Sequence, residues 1–95
     1  MSTAFQTVVV LNTRGLHARP AMQFVDLATT FKSHIVVKKP GGDPPEVDGK
    51  SIMEMITLEA VQGTQLEIWA EGADAETAVK CLALLFHNRF NDEED

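Results

Sequence analysis

Residues 40–45 restrict the possible folds more than any other part of this sequence. They include three prolines and two glycines, so neither a helix nor a strand can continue through them. A β-branched run at 34–39 precedes this segment, and Glu46–Asp48 can form at most a stub of a strand after it. Parallel strands need a crossover of about a dozen residues or more, so this short connection predicts an antiparallel hairpin.

The spacing of apolar residues predicts the remaining elements. Strand-like composition or alternation occurs at 6–11 and 65–70, and helical spacing occurs at about 19–31 and from 74 onward. The two helical stripes are Ala21, Phe24, Val25, Ala28 and Phe31, and Ala78, Cys81, Leu82, Leu85 and Phe86. Asp74 can cap the last helix. The order β-α-β-β-α-β-α predicts an α+β fold, with all helices on one face of an antiparallel sheet.

A third and shorter helix is predicted at about 51–58. Ser51 and Glu54 have the form of a capping box, in which a hydroxyl precedes a carboxylate by three positions. Ser51 is therefore expected to be an N-cap whatever else it does. The apolar residues of this helix are Ile52, Met53 and Met55. They would ordinarily belong to the core, but a short helix cannot bury every side, so we expect part of this trio to dock a partner.

Composition and charge exclude several classes of protein. The 95 residues, of which 44 % are hydrophobic, predict one globular domain at 1–95 with a frayed acidic tail at 91–95. The net charge of -6 argues against nucleic acid as a partner. No apolar run approaches the ~18 residues of a membrane span, and no export signal is present. Cys81 is the single cysteine and cannot form an internal disulfide. We therefore expect a cytoplasmic protein without membrane insertion.

The connection between the first strand and the first helix carries the strongest functional signal. It reads Gly15-Leu16-His17-Ala18-Arg19-Pro20-Ala21. A helix start has unpaired N–H groups and the positive end of the helix dipole, and Ala18 offers these groups no side-chain oxygen. Gly15 permits the tight turn that would present His17, and Arg19 adds a cation. The sequence therefore predicts an anion site beside an imidazole.

A neutral imidazole is a competent nucleophile, so His17 could accept a phosphoryl group whose oxygens are held by Arg19 and the helix N–H groups. A simpler interpretation stays open, because a histidine near a helix start is often only a surface residue. His34 and His87 have no neighbouring ligand set, and we assign them no role. No spacing of His, Cys, Asp or Glu resembles a coordination cluster, so we expect neither metal nor cofactor.

Strand alternation predicts an outward-facing Trp69 on the side of the sheet opposite to the helices. Thr7, Val9 and Val36 would share that side. We expect a partly exposed Trp69 in a modest apolar patch, which is a candidate contact site. The alternative is a tryptophan covered by the chain termini.

These motifs closely resemble those of the HPr family, the histidine-containing phosphocarriers of the bacterial phosphoenolpyruvate-dependent phosphotransferase system. Residues 15–21 are similar to the family's active-site motif, and Gln23-Phe24-Val25 extends it. A second stretch, Lys50-Ser51-Ile52-Met53, resembles the family's motif around its regulatory serine. Later landmarks are resembled by Gln62-Gly63-Thr64 and Ala70-Glu71-Gly72. The resemblance extends over about residues 7–86.

The resemblance implies an open-faced β-sandwich, with a four-stranded antiparallel sheet under three helices. It implies that Nδ1 of His17 takes phosphate from enzyme I and passes it to an A-type domain, with Arg19 positioning the phosphate and the backbone at Ala18 contributing to its binding. It implies that Ser51 is the position of regulatory phosphorylation by a serine kinase, reversed by a phosphorylase. Such a protein is a monomeric carrier and not a free-standing enzyme.

The sequence departs from common relatives at three places. The segment 40–45 is about three residues longer. Arg14 replaces a small polar residue and would add a second cation near the phosphate. Glu54 and Glu59 stand where relatives often have glycine or lysine, which makes the partner-facing region acidic.

Two functions therefore compete. The first is phosphoryl transfer for sugar uptake. The second is a regulatory phosphoprotein, in which phosphorylation of His17 or Ser51 controls binding to metabolic or transcriptional partners; a nitrogen-type phosphotransfer chain is a variant of this. The intact pair of His17 and Arg19 favours phosphotransfer, and the intact Ser51 leaves regulation open.

Overall fold

The computed structural model describes residues 2–91, which form a four-stranded antiparallel sheet with three helices on one face. The elements in chain order are β1 (Ser2–Val9), α1 (Ala18–Ala28), β2 (His34–Lys38), β3 (Glu46–Asp48), α2 (Ile52–Ile56), β4 (Gln65–Gly72) and α3 (Ala75–His87). The predicted α+β open-faced sandwich and its element order are confirmed. None of the helices within residues 2–91 is long and apolar enough to cross a membrane.

The strand order in the sheet is β1-β4-β2-β3. The predicted hairpin is present, since β2 pairs antiparallel with β3 and Val37 lies opposite Val47. The last strand, β4, lies in the interior of the sheet and pairs with β2 on one side and β1 on the other. The sheet therefore depends on pairing between distant parts of the chain, in which Ser2 lies opposite Gly72.

Two strands are longer than their sequence pattern predicts. β1 begins at Ser2 and not at residue 6, and β4 continues to Gly72 and not only to Ala70. These extensions pair with each other, so neighbouring backbone and not side-chain preference makes them strands. β1 also ends earlier than predicted, at Val9, although the N–H of Val10 still donates to the Thr64 carbonyl (2.9 Å).

The core lies between the sheet and the helices. The inward-facing residues of the strands include Val8, Ile35, Val37, Leu66 and Ile68, all buried. Phe24 of α1 and Phe86 of α3 cover them and meet edge to face, with ring centroids 6.0 Å apart. From the predicted stripe of α3, Ala78, Leu82 and Phe86 are buried, whereas Cys81 and Leu85 are half-buried.

Helix α1 ends at Ala28, three residues before the predicted end. The hydroxyls of Thr29 and Thr30 donate to the carbonyls of Asp26 (2.9 Å) and Leu27 (2.7 Å). These side-chain bonds satisfy carbonyls that a continuing helix would have used, so the two threonines stop the helix.

Asp74 occupies the N-cap position of α3, but it does not cap that helix with its side chain, so this prediction is wrong in its chemistry. Its carboxylate accepts hydrogen bonds from the backbone N–H groups of Lys32 and Ser33 (both 2.9 Å) and from the Ser33 hydroxyl. These bonds, the Ser33 hydroxyl first, hold the pKa of Asp74 below its usual value of 3.8. Asp74 therefore ties the start of α3 to the loop before β2.

The outer face of the sheet has the half-buried Trp69 where alternation places it. Phe5, which the sequence pattern left outside the first strand, stacks on this ring with centroids 4.5 Å apart. The Lys38 ammonium lies 4.2 Å from the ring centroid, and the indole N–H donates to Glu67 (2.9 Å). A shallow cleft of about 230 Å³ lies beside Trp69, between His34 and Glu46.

The chain after α3 makes one tight turn at Arg89–Asn91, in which all three residues have positive φ (53 to 55°). Phe90 is buried there and meets Phe86 edge to face at 4.8 Å. The predicted frayed tail therefore does not include Asn91, and residues 92–95 lie outside the described residues.

Candidate functional site

The loop between β1 and α1 is fixed from both sides. The buried Asn12 accepts a backbone hydrogen bond from Gly15 (3.0 Å) and returns one from its side-chain Nδ2 to the Gly15 carbonyl (2.6 Å). The N–H of Leu16 donates to the Ala60 carbonyl (2.8 Å) in the segment after α2. The residues just before His17 are thus held against a distant part of the chain.

Gly15 is required here for two reasons. Its φ of +72° is strained for any residue with a Cβ. A Cβ at this position would lie 2.5 Å from the Ala60 carbonyl oxygen and 2.9 Å from Cα of Val61. The predicted tight turn is therefore present, and it also allows a close approach of two backbone segments.

Helix α1 begins one residue earlier than predicted, so its N-cap is His17 and not Ala18. His17 has extended backbone angles (φ -79°, ψ -172°), and its side chain forms no capping hydrogen bond. Its carbonyl accepts the first helical bond from Ala21 (3.0 Å). Pro20 has no N–H, and the helix offers no acceptor to the N–H groups of Ala18 and Arg19.

The electrostatics of this helix start favour an anion. The first turn of α1 contains no acidic residue, so the positive end of the helix dipole is not neutralised by its own side chains. Arg14 and Arg19 are exposed on the chain before and after the half-buried His17. Pro20 is buried and anchors the first turn on the core. The arrangement combines an imidazole, two backbone N–H groups and two guanidinium groups along six residues of chain.

Ser51 caps α2 as predicted, since its Oγ accepts a hydrogen bond from the Glu54 N–H (3.2 Å). The other half of the capping box is not formed. The Glu54 carboxylate accepts instead from the N–H of Asp48 (3.0 Å), and the Ser51 N–H donates to the Asp48 carbonyl (3.2 Å). Ser51 itself is half-buried at the surface.

The predicted docking trio is only partly at the surface. Met53 is 74 % exposed and Ile52 is half-buried, but Met55 is completely buried and cannot contact a partner. With about 100° between successive residues, the side opposite Met55 carries Met53 and Ile56. Ile56 is exposed, and sequence reasoning missed it because the side on which a five-residue helix docks does not show in its sequence.

The structure brings the two sequence motifs together. Besides the bond from Leu16 to Ala60, the Gln62 side chain donates to the Leu11 carbonyl (3.0 Å) and the Gly63 N–H donates to the Val10 carbonyl (2.8 Å). The segment after α2 therefore supports the loop that precedes His17. Among residues 2–91, no group of three or more His, Cys, Asp or Glu side chains is arranged to hold a metal ion.

Comparison with known proteins shows the family to which the domain is similar along nearly its whole length. The family model described as PTS HPr component phosphorylation site matches residues 5–88. A phosphocarrier protein HPr from Treponema pallidum is 40 % identical over 88 residues, which are 93 % of this chain and 97 % of that protein. A phosphocarrier protein NPr from Proteus mirabilis is 33 % identical over 91 residues, 96 % of this chain and 99 % of that protein.

A solved structure shows the same fold. The crystal structure of HPr from Thermoanaerobacter tengcongensis superposes with a TM-score of 0.84 at 41 % identity, covering 98 % of this chain and 99 % of that one. Both relatives are phosphocarriers, which hand on a group, and not enzymes that convert a substrate.

Proposed function

This chain belongs to the HPr family of phosphotransferase-system phosphocarriers, and on that premise we propose that Nδ1 of His17 accepts a phosphoryl group from enzyme I and passes it to an A-type domain. The observation that carries the proposal is the start of α1. His17 is the N-cap, its own side chain makes no capping hydrogen bond, and the first turn of the helix has no acidic residue.

The chemistry follows from these groups. As the Nδ1–phosphorus bond forms at His17, the bond from phosphorus to the donor breaks, and the charge on the transferred group is spread over its three remaining oxygens. The N–H groups of Ala18 and Arg19 and the guanidinium groups of Arg19 and Arg14 stabilise these oxygens. The reverse displacement on an acceptor restores the imidazole.

The environment of His17 suits a carrier. The side chain is half-buried at a helix end, so a partner can reach it. Its loop is held by the Leu16–Ala60 hydrogen bond, so little reordering is needed on docking. We assign the protein to the cytoplasm, a location that fits the family, and to a monomeric state.

Regulation through Ser51 is the second candidate function. Its hydroxyl lies at the surface at the start of α2, next to Ile52 and Met53. A phosphate from a serine kinase would add about -1.5 to -2 charge at this position, beside the docking residues. The expected consequence is a change in partner binding without unfolding, because a helix start tolerates negative charge.

The direct test of phosphotransfer uses phosphoenolpyruvate and enzyme I from the same genome. The wild-type protein should acquire an acid-labile phosphate that maps to His17, and His17→Ala should acquire none while keeping its circular dichroism spectrum. His34→Ala and His87→Ala are matched controls, because both histidines are exposed and neither belongs to the His17 loop or to α1. Normal phosphorylation of His17→Ala would contradict the proposal.

A further inference from the structure

An exposed apolar patch lies on the elements that adjoin the loop carrying His17. We define it by Met22 of α1, Met53 and Ile56 of α2, and Val61, whose side chains are 49 %, 74 %, 45 % and 68 % exposed. Helices α1 and α2 pack against each other, and the Gly15 backbone lies against that of Val61. The four residues therefore belong to adjoining parts of one surface. Exposed apolar groups of this kind mark an interaction site.

The border of this apolar patch at α2 is acidic. Residues 51–60 contain Glu54 and Glu59 and no basic residue, and both carboxylates are exposed. Glu54 projects from α2 next to Met53, with its carboxylate held by the Asp48 N–H at 3.0 Å. Glu59 follows Ile56 by three residues and precedes Ala60, the residue bonded to the His17 loop.

Two nearby lysines keep their positive charge, but their ammonium groups bind main-chain carbonyls and their side chains are half-buried, whereas the two carboxylates are exposed. The Lys39 ammonium donates to the Leu58 carbonyl at 2.7 Å, and the Lys50 ammonium donates to the Phe31 carbonyl at 2.8 Å. The two carbonyls that they bind belong to the segments that follow α2 and α1. The surface is thus polarised, with Arg14 and Arg19 at the His17 end and two carboxylates at the α2 end.

We infer that the phosphoryl donor docks on this patch with a basic surface, which places Lys or Arg side chains opposite Glu54 and Glu59 around an apolar centre that receives Met53 and Ile56. This inference rests on the proposed function. Charges at the rim of an interface mainly set the association rate and the choice of partner, and like charges placed opposite each other are costly. An acidic donor surface would be repelled by both Glu54 and Glu59.

The test compares rates of phosphoryl transfer from enzyme I of the same genome to this protein. Glu54→Gln with Glu59→Gln removes both charges, and glutamine keeps an oxygen for the Asp48 N–H. Glu46→Gln with Glu71→Gln is the matched control, because it removes the same charge from exposed positions on the outer face of the sheet. Thermal unfolding of all three proteins checks that the fold is retained.

The expected result has three parts. The wild-type kcat/KM falls as ionic strength rises from about 0.01 to 1 M. The variant at Glu54 and Glu59 loses about tenfold in kcat/KM at low salt and depends less on salt. The control keeps the wild-type rate and its salt dependence.

An unchanged or faster rate at low salt for the variant at Glu54 and Glu59 would overturn the basic-donor inference, and His17 phosphorylation in the same assay would leave the proposed function standing. The absence of any phosphate on wild-type His17 would overturn both.

Discussion

Gly15→Ala is the substitution that best tests how the His17 loop is held. The new methyl group would lie 2.5 Å from the Ala60 carbonyl oxygen, so the backbone at Ala60 and Val61 must move away. That movement breaks the 2.8 Å hydrogen bond from Leu16 to Ala60. A residue with a Cβ at φ +72° costs about 1 kcal/mol, and the broken bond with its partly buried groups costs about 2 kcal/mol more. We expect a total loss of roughly 3 kcal/mol.

Gly41→Ala is the matched control. Its φ of +76° carries the same backbone strain, but a Cβ there would have no atom within 4 Å. We expect a loss of about 1 kcal/mol, so the two variants should differ by about 2 kcal/mol, or about 8–16 °C in Tm. Urea unfolding followed by circular dichroism measures the free energy of unfolding of each variant. The rate of phosphoryl transfer from enzyme I reports on the His17 site. Gly15→Ala should also slow transfer, because His17 moves with the loop.

Equal losses at Gly15 and Gly41 would refute this reasoning. They would mean that the Ala60 backbone moves away from a Cβ at position 15 without lowering the free energy of unfolding, and that this contact does not hold the His17 loop in place.

Three further predictions concern other parts of the fold. Asp74→Asn should lower the free energy of unfolding at pH 7. Because the folded-state pKa of Asp74 is depressed, its ionised carboxylate stabilises the wild type above about pH 4, and this stabilisation is lost as the pH falls through the lowered pKa. The free energies of unfolding measured in urea at pH 7 and pH 2 should therefore differ less in the variant than in the wild type. Phe5→Ala should expose Trp69 to iodide quenching and cost about 1 kcal/mol, whereas Val9→Ala should leave the quenching unchanged. Ser51→Ala should cost about 1 kcal/mol in thermal unfolding through the lost N-cap; no loss would mean that the 3.2 Å bond to Glu54 contributes nothing.

The sequence predicted those features that depend on local chemistry. The segment 40–45 connects the two strands of a hairpin, as its prolines and glycines predict. Ser51 caps α2, and His17 lies at the start of α1. Each follows from backbone restrictions or from hydrogen bonds across three or four residues. Trp69 is also half-buried on the outer face, because strand alternation is a local property.

Features that depend on distant neighbours were missed. An aspartate at the start of a helix can cap it or accept bonds from another loop, and only the proximity of Ser33 decides for Asp74. Met55 rather than Ile56 is buried because of how α2 lies on the core, which no periodicity in five residues reveals. Phe90 is buried only because three residues with positive φ reverse the chain after α3, and nothing in their side chains indicates that conformation.

The position of β4 inside the sheet has a consequence for the order of assembly during synthesis. β1 leaves the ribosome first, yet its pairing partner ends at Gly72. β2 can pair with β3 early, but that hairpin is joined to β1 only through β4. Since non-local pairing of this kind slows folding, the nascent chain should hold an unpaired, uncharged β1 until most of the protein has been made. A fragment that stops before β4 should therefore expose β1 to chaperones and to association with other chains.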